Sequence, residues 1–156
     1  YDPQTLEQSW ASGACLLTTR EVFNTLHGFD HDTFFMYCDD VDYSWRTRLA
    51  GYKVVHTPSA RAFHDKRITL TGDIVAGSAE HYFSAEAAVL LAYKYSQNRL
   101  TKKLLKAFQR DSSEVSLRVV AEFDLRKASG VLPQQLDPQH RVAYFKGGRY
   151  APHRAA

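Results

Sequence analysis

Over the first half of the chain, apolar residues fall in short blocks separated by acids, glycines and turn formers; over the second half they recur at helical spacing. Ala14-Cys15-Leu16-Leu17 is a short apolar run that predicts a buried strand. Thr18-Thr19-Arg20-Glu21 follows, a Thr-x-x-Glu capping box opening a helix with Val22, Phe23 and Leu26 on its inward face. Gly28 stands just past its end, where a left-handed closing residue is commonly needed. Phe34-Phe35-Met36-Tyr37 reads as either an edge strand or a packed loop. Val41, Trp45 and Leu49, four apart, predict a second helix that starts at Asp39-Asp40 and stops at Gly51. The run from Tyr52 to Thr57 alternates and is β-branched, as in a strand, and Pro58 ends it. Residues 60–64 suggest another short extended piece.

After Thr71, Gly72, Asp73, Gly77 and Ser78 mark a change of texture. Helices are predicted over 85–95, 100–110 and 114–128, the last entered through Asp111-x-x-Glu114 and closed by Gly130. The tail from Val131 holds Pro133, Pro138 and Pro152 and is expected to be mostly irregular. The expected organisation is an α/β part over 1–71 and a mostly helical extension over 72–156.

With 44% hydrophobic and 24% charged side chains in 156 residues, the chain can bury a core and is no disordered segment. A net charge of +3 and a pI near 8.9 favour anionic partners. Nucleic acid is not among them, because no basic tract is interleaved with aromatics and no zinc-finger spacing occurs. Cys15 and Cys38 are the only thiols, which fits a reduced, cytoplasmic setting. No apolar run approaches the roughly 20 residues that span a bilayer. The start at Tyr1, without an initiator Met, leads us to expect a fragment or processed product of something longer.

The sharpest chemical feature is Asp39-Asp40-Val41-Asp42 at a helix start. Free N–H groups and the positive helix end keep carboxylates there ionised, and an ionised carboxylate can accept a proton. An acidic pair at such a position more often only caps the helix. His64, beside Asp65, is a candidate metal ligand, although a lone His usually has no such role. The seven His residues form no His-x-x-x-His or Glu-x-x-His pattern, so any metal needs ligands from elsewhere. Lys66 and Arg67 could neutralise a phosphate. Gly13 and Ala14 let a ligand approach the backbone, and Trp10 could stack on a sugar ring, with core packing the plainer role.

Ser12-Gly13-Ala14, Thr19-Arg20-Glu21-Val22-Phe23, Gly28-Phe29-Asp30, Phe35-Met36-Tyr37, Asp39-Asp40-Val41-Asp42, Arg46, Arg48, Ala50-Gly51-Tyr52 and His64 occur in a telling order. Over residues 10–67 this series resembles the C-terminal half of the catalytic domain of family-two, GT-A-fold glycosyltransferases, particularly the bacterial rhamnosyltransferase-like members. The resemblance implies an inverting transfer from a nucleotide-sugar donor to a glycan or lipid-linked acceptor. It makes Asp40 the general base, Asp39 its orienting neighbour and His64 a ligand of the Mg²⁺ or Mn²⁺ on the donor diphosphate. Gly13 and Ala14 would line the sugar pocket. In such enzymes the donor-binding βαβ region with its Asp-x-Asp metal motif precedes the matched part. The resemblance therefore implies that this chain alone lacks the donor site and is inactive. Cys38 and Lys66-Arg67 depart from the family pattern.

One adjacent pair of acids cannot straddle a glycosidic bond, so a glycosidase is excluded. The alternative from another class is a non-catalytic binding or scaffolding module of the same ancestry. Finally, Arg99, Lys102, Lys103, Lys106 and Arg110 oppose Leu100, Leu104, Ala107 and Phe108 on one helical stretch. Such a helix packs its apolar stripe on the core, and its basic face suits an anionic surface at the inner membrane face, where a lipid-linked acceptor would lie.

Overall fold

The computed structural model describes residues 1–64 and 77–150. Thr19 accepts the N–H of Val22 and caps α1 (Arg20–Thr25), one residue later than the expected box. Gly28 takes the left-handed conformation (φ 73°), and a Cβ there would lie 2.9 Å from the Phe23 ring. α2 spans Asp39–Leu49 and buries Val41 and Trp45, as their spacing requires. Three longer helices follow: α3 (Ser78–Lys94), α4 (Asn98–Asp111) and α5 (Glu114–Ala128), each packed against the other two. α3 begins well before the expected residue 85, where Glu80 accepts the N–H of Gly77 at 2.6 Å. α5 is capped by Ser113 rather than Asp111, whose carboxylate instead accepts the hydroxyls of Ser113 and Ser116.

Strand content is where the sequence reading needs correction. Gly13–Cys15 forms a 3-10 turn, and Leu17 is 99% exposed, so no buried strand runs through 14–17. Nor does 52–57 form a full strand. Val55 makes a single antiparallel bridge with Glu7, secured by Gln8 N–H to Val54 C=O and His56 N–H to Leu6 C=O. An extended segment becomes a strand only when neighbours satisfy its backbone groups, and among the described residues these two segments have no ladder to join. Residues 60–64 are irregular and exposed. The one sheet among the described residues is a two-stranded hairpin in the otherwise irregular tail, β1 (Phe145–Lys146) with β2 (Arg149–Tyr150), Phe145 opposite Tyr150. The described fold is thus mainly helical, with far less sheet than an α/β reading expects.

A single apolar cluster takes Phe34, Cys38, Val41 and Trp45 from the first half and Leu91, Tyr95, Val119 and Phe123 from the helices. The 71/72 division falls outside the described residues. Trp45 is fully buried and is the hub: its ring meets Tyr95 edge-on at 4.7 Å and Phe145 at 5.4 Å. Truncating such a side chain typically costs about 3–5 kcal/mol.

Candidate active site

α2 positions the acids. The two residues before it, Tyr37 and Cys38, both lie at positive φ (67° and 61°), a conformation that costs a side-chain-bearing residue roughly 1–2 kcal/mol. This reversal sends Cys38 into the core and brings Asp39 and Asp40 to the first turn of α2. Opposite them, the 9–13 segment is pinned to the same helix: the Trp45 indole N–H donates to Ser9 Oγ at 3.0 Å and the Ala11 N–H to Ser44 Oγ at 3.1 Å. With that segment fixed, the Gly13 N–H donates to Asp40 Oδ2 at 2.9 Å, while Val41 N–H donates to Asp40 Oδ1 at 2.8 Å. A Cβ on Gly13 would lie 3.5 Å from the Asp40 Cβ, so glycine keeps this side of the carboxylate open.

Burial pushes the Asp40 carboxyl above its ordinary range; the N–H groups of Gly13 and Val41 hold it back, and the charge of Asp39 adds to the rise. The result is a half-buried carboxylate with raised proton affinity, directed by two backbone N–H groups. Asp39 is also half-buried, and among the described residues its carboxylate has no hydrogen-bond partner.

The third acid behaves differently. Asp42 is fully buried: Oδ2 accepts Arg46 Nε at 2.7 Å, and Oδ1 lies 2.6 Å from Lys94 Nζ and 3.1 Å from the Tyr95 hydroxyl. Lys94 also meets Asp30 Oδ2 at 2.6 Å, and Arg46 donates to the carbonyls of Leu26 and Gly28. Asp42 is therefore the centre of an ionic lattice tying α2 to α3 and to the loop after α1. In sequence it belongs to the same acidic cluster as Asp39 and Asp40, with no separate role assigned to it. The i,i+4 spacing of Asp42 and Arg46 was a readable signal, whereas Lys94 and Asp30 gave none. A cavity of about 250 Å³ opens beside this lattice, lined by His27, His31, Arg46 and Lys94 among others; Asp40 does not line it.

The other expected site residues separate. Ala14 is exposed on the 3-10 turn beside Gly13. Trp10 packs against the core and meets Tyr150 edge-on at 5.5 Å, a neighbour that sequence reasoning missed. His64 is exposed on an irregular segment. Lys66 and Arg67 lie outside the described residues. Among the described residues no three His, Cys, Asp or Glu side chains gather as a metal centre, so His64 offers a single imidazole there. Cys15 and Cys38 are both free, the first exposed and the second buried. Among the described residues no helix is long and apolar enough to cross a membrane.

No protein-family model matches the chain, and no solved structure does. Relatives by sequence are informative. The chain is 36% identical over 95 residues to an N-acetylglucosaminyl-diphospho-decaprenol L-rhamnosyltransferase of Mycobacterium tuberculosis, a match covering 61% of this chain and 30% of that protein. It is 36% identical over 55 residues to the rhamnosyltransferase WbbL of Escherichia coli, covering 35% of this chain and 20% of that protein. The chain thus spans about a third or less of the length of these relatives. Both are rhamnosyltransferases, and the likeness supports a glycosyltransferase family for this chain.

Proposed function

We propose that the chain forms the acceptor side of an inverting glycosyltransferase, in which Asp40 is the general base. The observation that carries this reading is the Asp40 carboxylate, half-buried, aimed by the Gly13 N–H and raised in proton affinity. In the reaction, Asp40 takes the proton of the acceptor hydroxyl as that oxygen attacks the anomeric carbon of a nucleotide-sugar donor. The bond to the diphosphate breaks on the opposite face of the sugar, and the configuration inverts. A base must be basic enough to accept the proton, and burial that raises the carboxyl of Asp40 above the ordinary aspartate range serves that demand.

Asp39, whose carboxylate has no hydrogen-bond partner among the described residues, orients the acceptor or the base. Gly13 and Ala14 leave room for the sugar, and Trp10 offers a ring edge near the same rim. Lys66 and Arg67 would supply positive charge to neutralise the departing phosphates. A divalent metal such as Mg²⁺ or Mn²⁺, held by His64 together with donors from outside this chain, would supply charge neutralisation to the leaving diphosphate.

The names of the mycobacterial relatives supply the acceptor class: a sugar on a diphospho-polyprenol. On this reading α4 would offer the surface for such an acceptor, since Arg99, Lys102, Lys103, Lys106 and Arg110 are exposed while Leu104 and Phe108 pack against the core. This basic face rests on the anionic inner membrane surface.

The test is Asp40→Asn in the full-length protein, assayed with a short-chain N-acetylglucosaminyl-diphospho-lipid as acceptor probe. Transfer is expected to be abolished with the fold retained. A wild-type rate in this variant would remove the base assignment and favour a non-catalytic binding module.

A further inference from the structure

Tyr150 lies 110 positions from Asp40 in the sequence, yet the C-terminal hairpin carries it to the same rim. Three anchors hold this tail. Buried Asp137 accepts the N–H groups of Arg141, Val142 and Ala143 at 2.7–3.0 Å. Arg48 of α2 donates to the Val142 carbonyl at 3.3 Å. Phe145 of β1 packs on Trp45. Since α2 carries Asp40, Arg48 and Trp45 alike, the hairpin is registered against the helix that holds the base.

On β2, Tyr150 pairs across the ladder with Phe145 and sets its ring edge-on to Trp10, centroids 5.5 Å apart and planes at 81°. Trp10 in turn lies three residues before Gly13, the donor to Asp40. Tyr150 is half-buried as a residue, but its hydroxyl has no hydrogen-bond partner among the described residues and is not a buried atom, so this polar tip stays open to solvent. Burial pushes this phenol up to about 12, with Cys38 and then Asp40 adding to the rise, so it stays a neutral donor across the physiological range.

We propose that Tyr150 and Trp10 form the aromatic wall that seats the acceptor's sugar ring beside Asp40, with the Tyr150 hydroxyl donating to an acceptor oxygen. Two rings at right angles give a corner with apolar faces and one polar tip, a surface suited to a pyranose, which has C–H faces and a rim of hydroxyls. The inference rests on Asp40 as the base, but it concerns binding, which can be read without turnover. It also gives the tail a role in specificity: the sugar that fits is set by a segment far from the acidic pair in sequence.

The 156-residue chain is titrated with the same short-chain N-acetylglucosaminyl-diphospho-lipid, and affinity is read from tryptophan fluorescence and from heat. Tyr150→Phe keeps the ring and loses the hydroxyl; Tyr150→Ala loses both. Removing one hydrogen bond to a bound ligand weakens binding about three- to tenfold, and the ring loss should weaken it further. Thermal unfolding of Tyr150→Phe should stay at the wild-type midpoint. In the full-length protein the same variant should raise the acceptor KM and leave the donor KM alone. Unchanged affinity in both variants overturns the proposal, as does absence of any binding of the probe by the wild-type chain. Loss of affinity only in step with a lowered unfolding midpoint also overturns it, since that marks a merely structural tyrosine. Turnover by Asp40→Asn, measured separately, reports on the base and not on this wall.

Discussion

The ammonium of Lys94 lies 2.6 Å from a carboxylate oxygen of Asp42, and both side chains are almost wholly removed from solvent. This contact joins α2 to α3 and sits two residues after the proposed base. The first turn of α2 therefore carries acids of two kinds: Asp39 and Asp40 at the rim, and Asp42 in an ionic lattice below.

Breaking that lattice from one side leaves uncompensated charge. Lys94→Met strands Asp42 and Asp30, and removing one partner of a buried pair typically costs about 3–5 kcal/mol. Arg46 still neutralises part of Asp42, so the lower end is expected. Adding Asp42→Asn to Lys94→Met should recover a large part of the loss. Urea denaturation of the single and double variants measures both, and additive losses would contradict the coupling.

Asp30 and Asp40 should give opposite pH responses. Burial alone would raise Asp30, but hydrogen bonds from Lys94 and Thr33 outweigh it and bring its pKa below 3.8. Its stabilising contribution is then present above 3.8 and lost as pH falls through the folded-state value. Asp40, raised above 3.8, is the reverse: its contribution is full below 3.8 and lost as pH rises through the folded-state value. Asp30→Asn should be less stable than wild type at pH 7 and converge with it in acid. Denaturation midpoints across pH check this ordering.

Activity has its own acid limb. Asp40 must be ionised to accept a proton, so kcat/KM in the full-length protein should fall as pH drops through a pKa above 3.8. Because the variant Asp40→Asn keeps one acceptor oxygen for two N–H donors, it loses about one hydrogen bond, roughly 1 kcal/mol, offset by relief of a half-buried charge. Its unfolding free energy should therefore stay within about 1 kcal/mol of wild type.

Gly28 is held by geometry. A Cβ there meets the Phe23 ring at 2.9 Å in a backbone that already disfavours side chains, so Gly28→Ala should destabilise the chain by about 1–3 kcal/mol. Gly13→Ala meets only ordinary contacts at 3.5 Å and should fold normally. Its methyl group sits against the Asp40 side chain, so acceptor affinity is expected to fall. Calorimetric unfolding of both variants separates the two outcomes.

Charge reversal on α4, with Lys102, Lys103 and Lys106 all changed to Glu, tests the membrane proposal. All three side chains are exposed, so the unfolding midpoint should move little. Binding to vesicles containing anionic phospholipid should be lost, and binding that persists would remove this surface from consideration.

Local signals in the sequence determined α1, α2 and α5 to within a residue or so: a threonine cap one position from the expected Thr18, the four-residue spacing of Val41, Trp45 and Leu49, and Gly28, Gly51 and Gly130 as stops. They also set Asp39 and Asp40 at a helix start, because caps and spacings act within one or two turns. Strand predictions over 14–17 and 52–57 failed for the opposite reason. Apolar alternation states a preference, and only partners distant in the chain can satisfy an extended backbone. The same distance hid the rest of the site. Tertiary structure alone decided that Gly13 would donate to Asp40 across 27 residues, that Lys94 would neutralise Asp42 across 52, and that Tyr150 would meet Trp10 across 140. Each is a contact between side chains or backbone groups whose encounter depends on how the helices pack, and no periodicity records it.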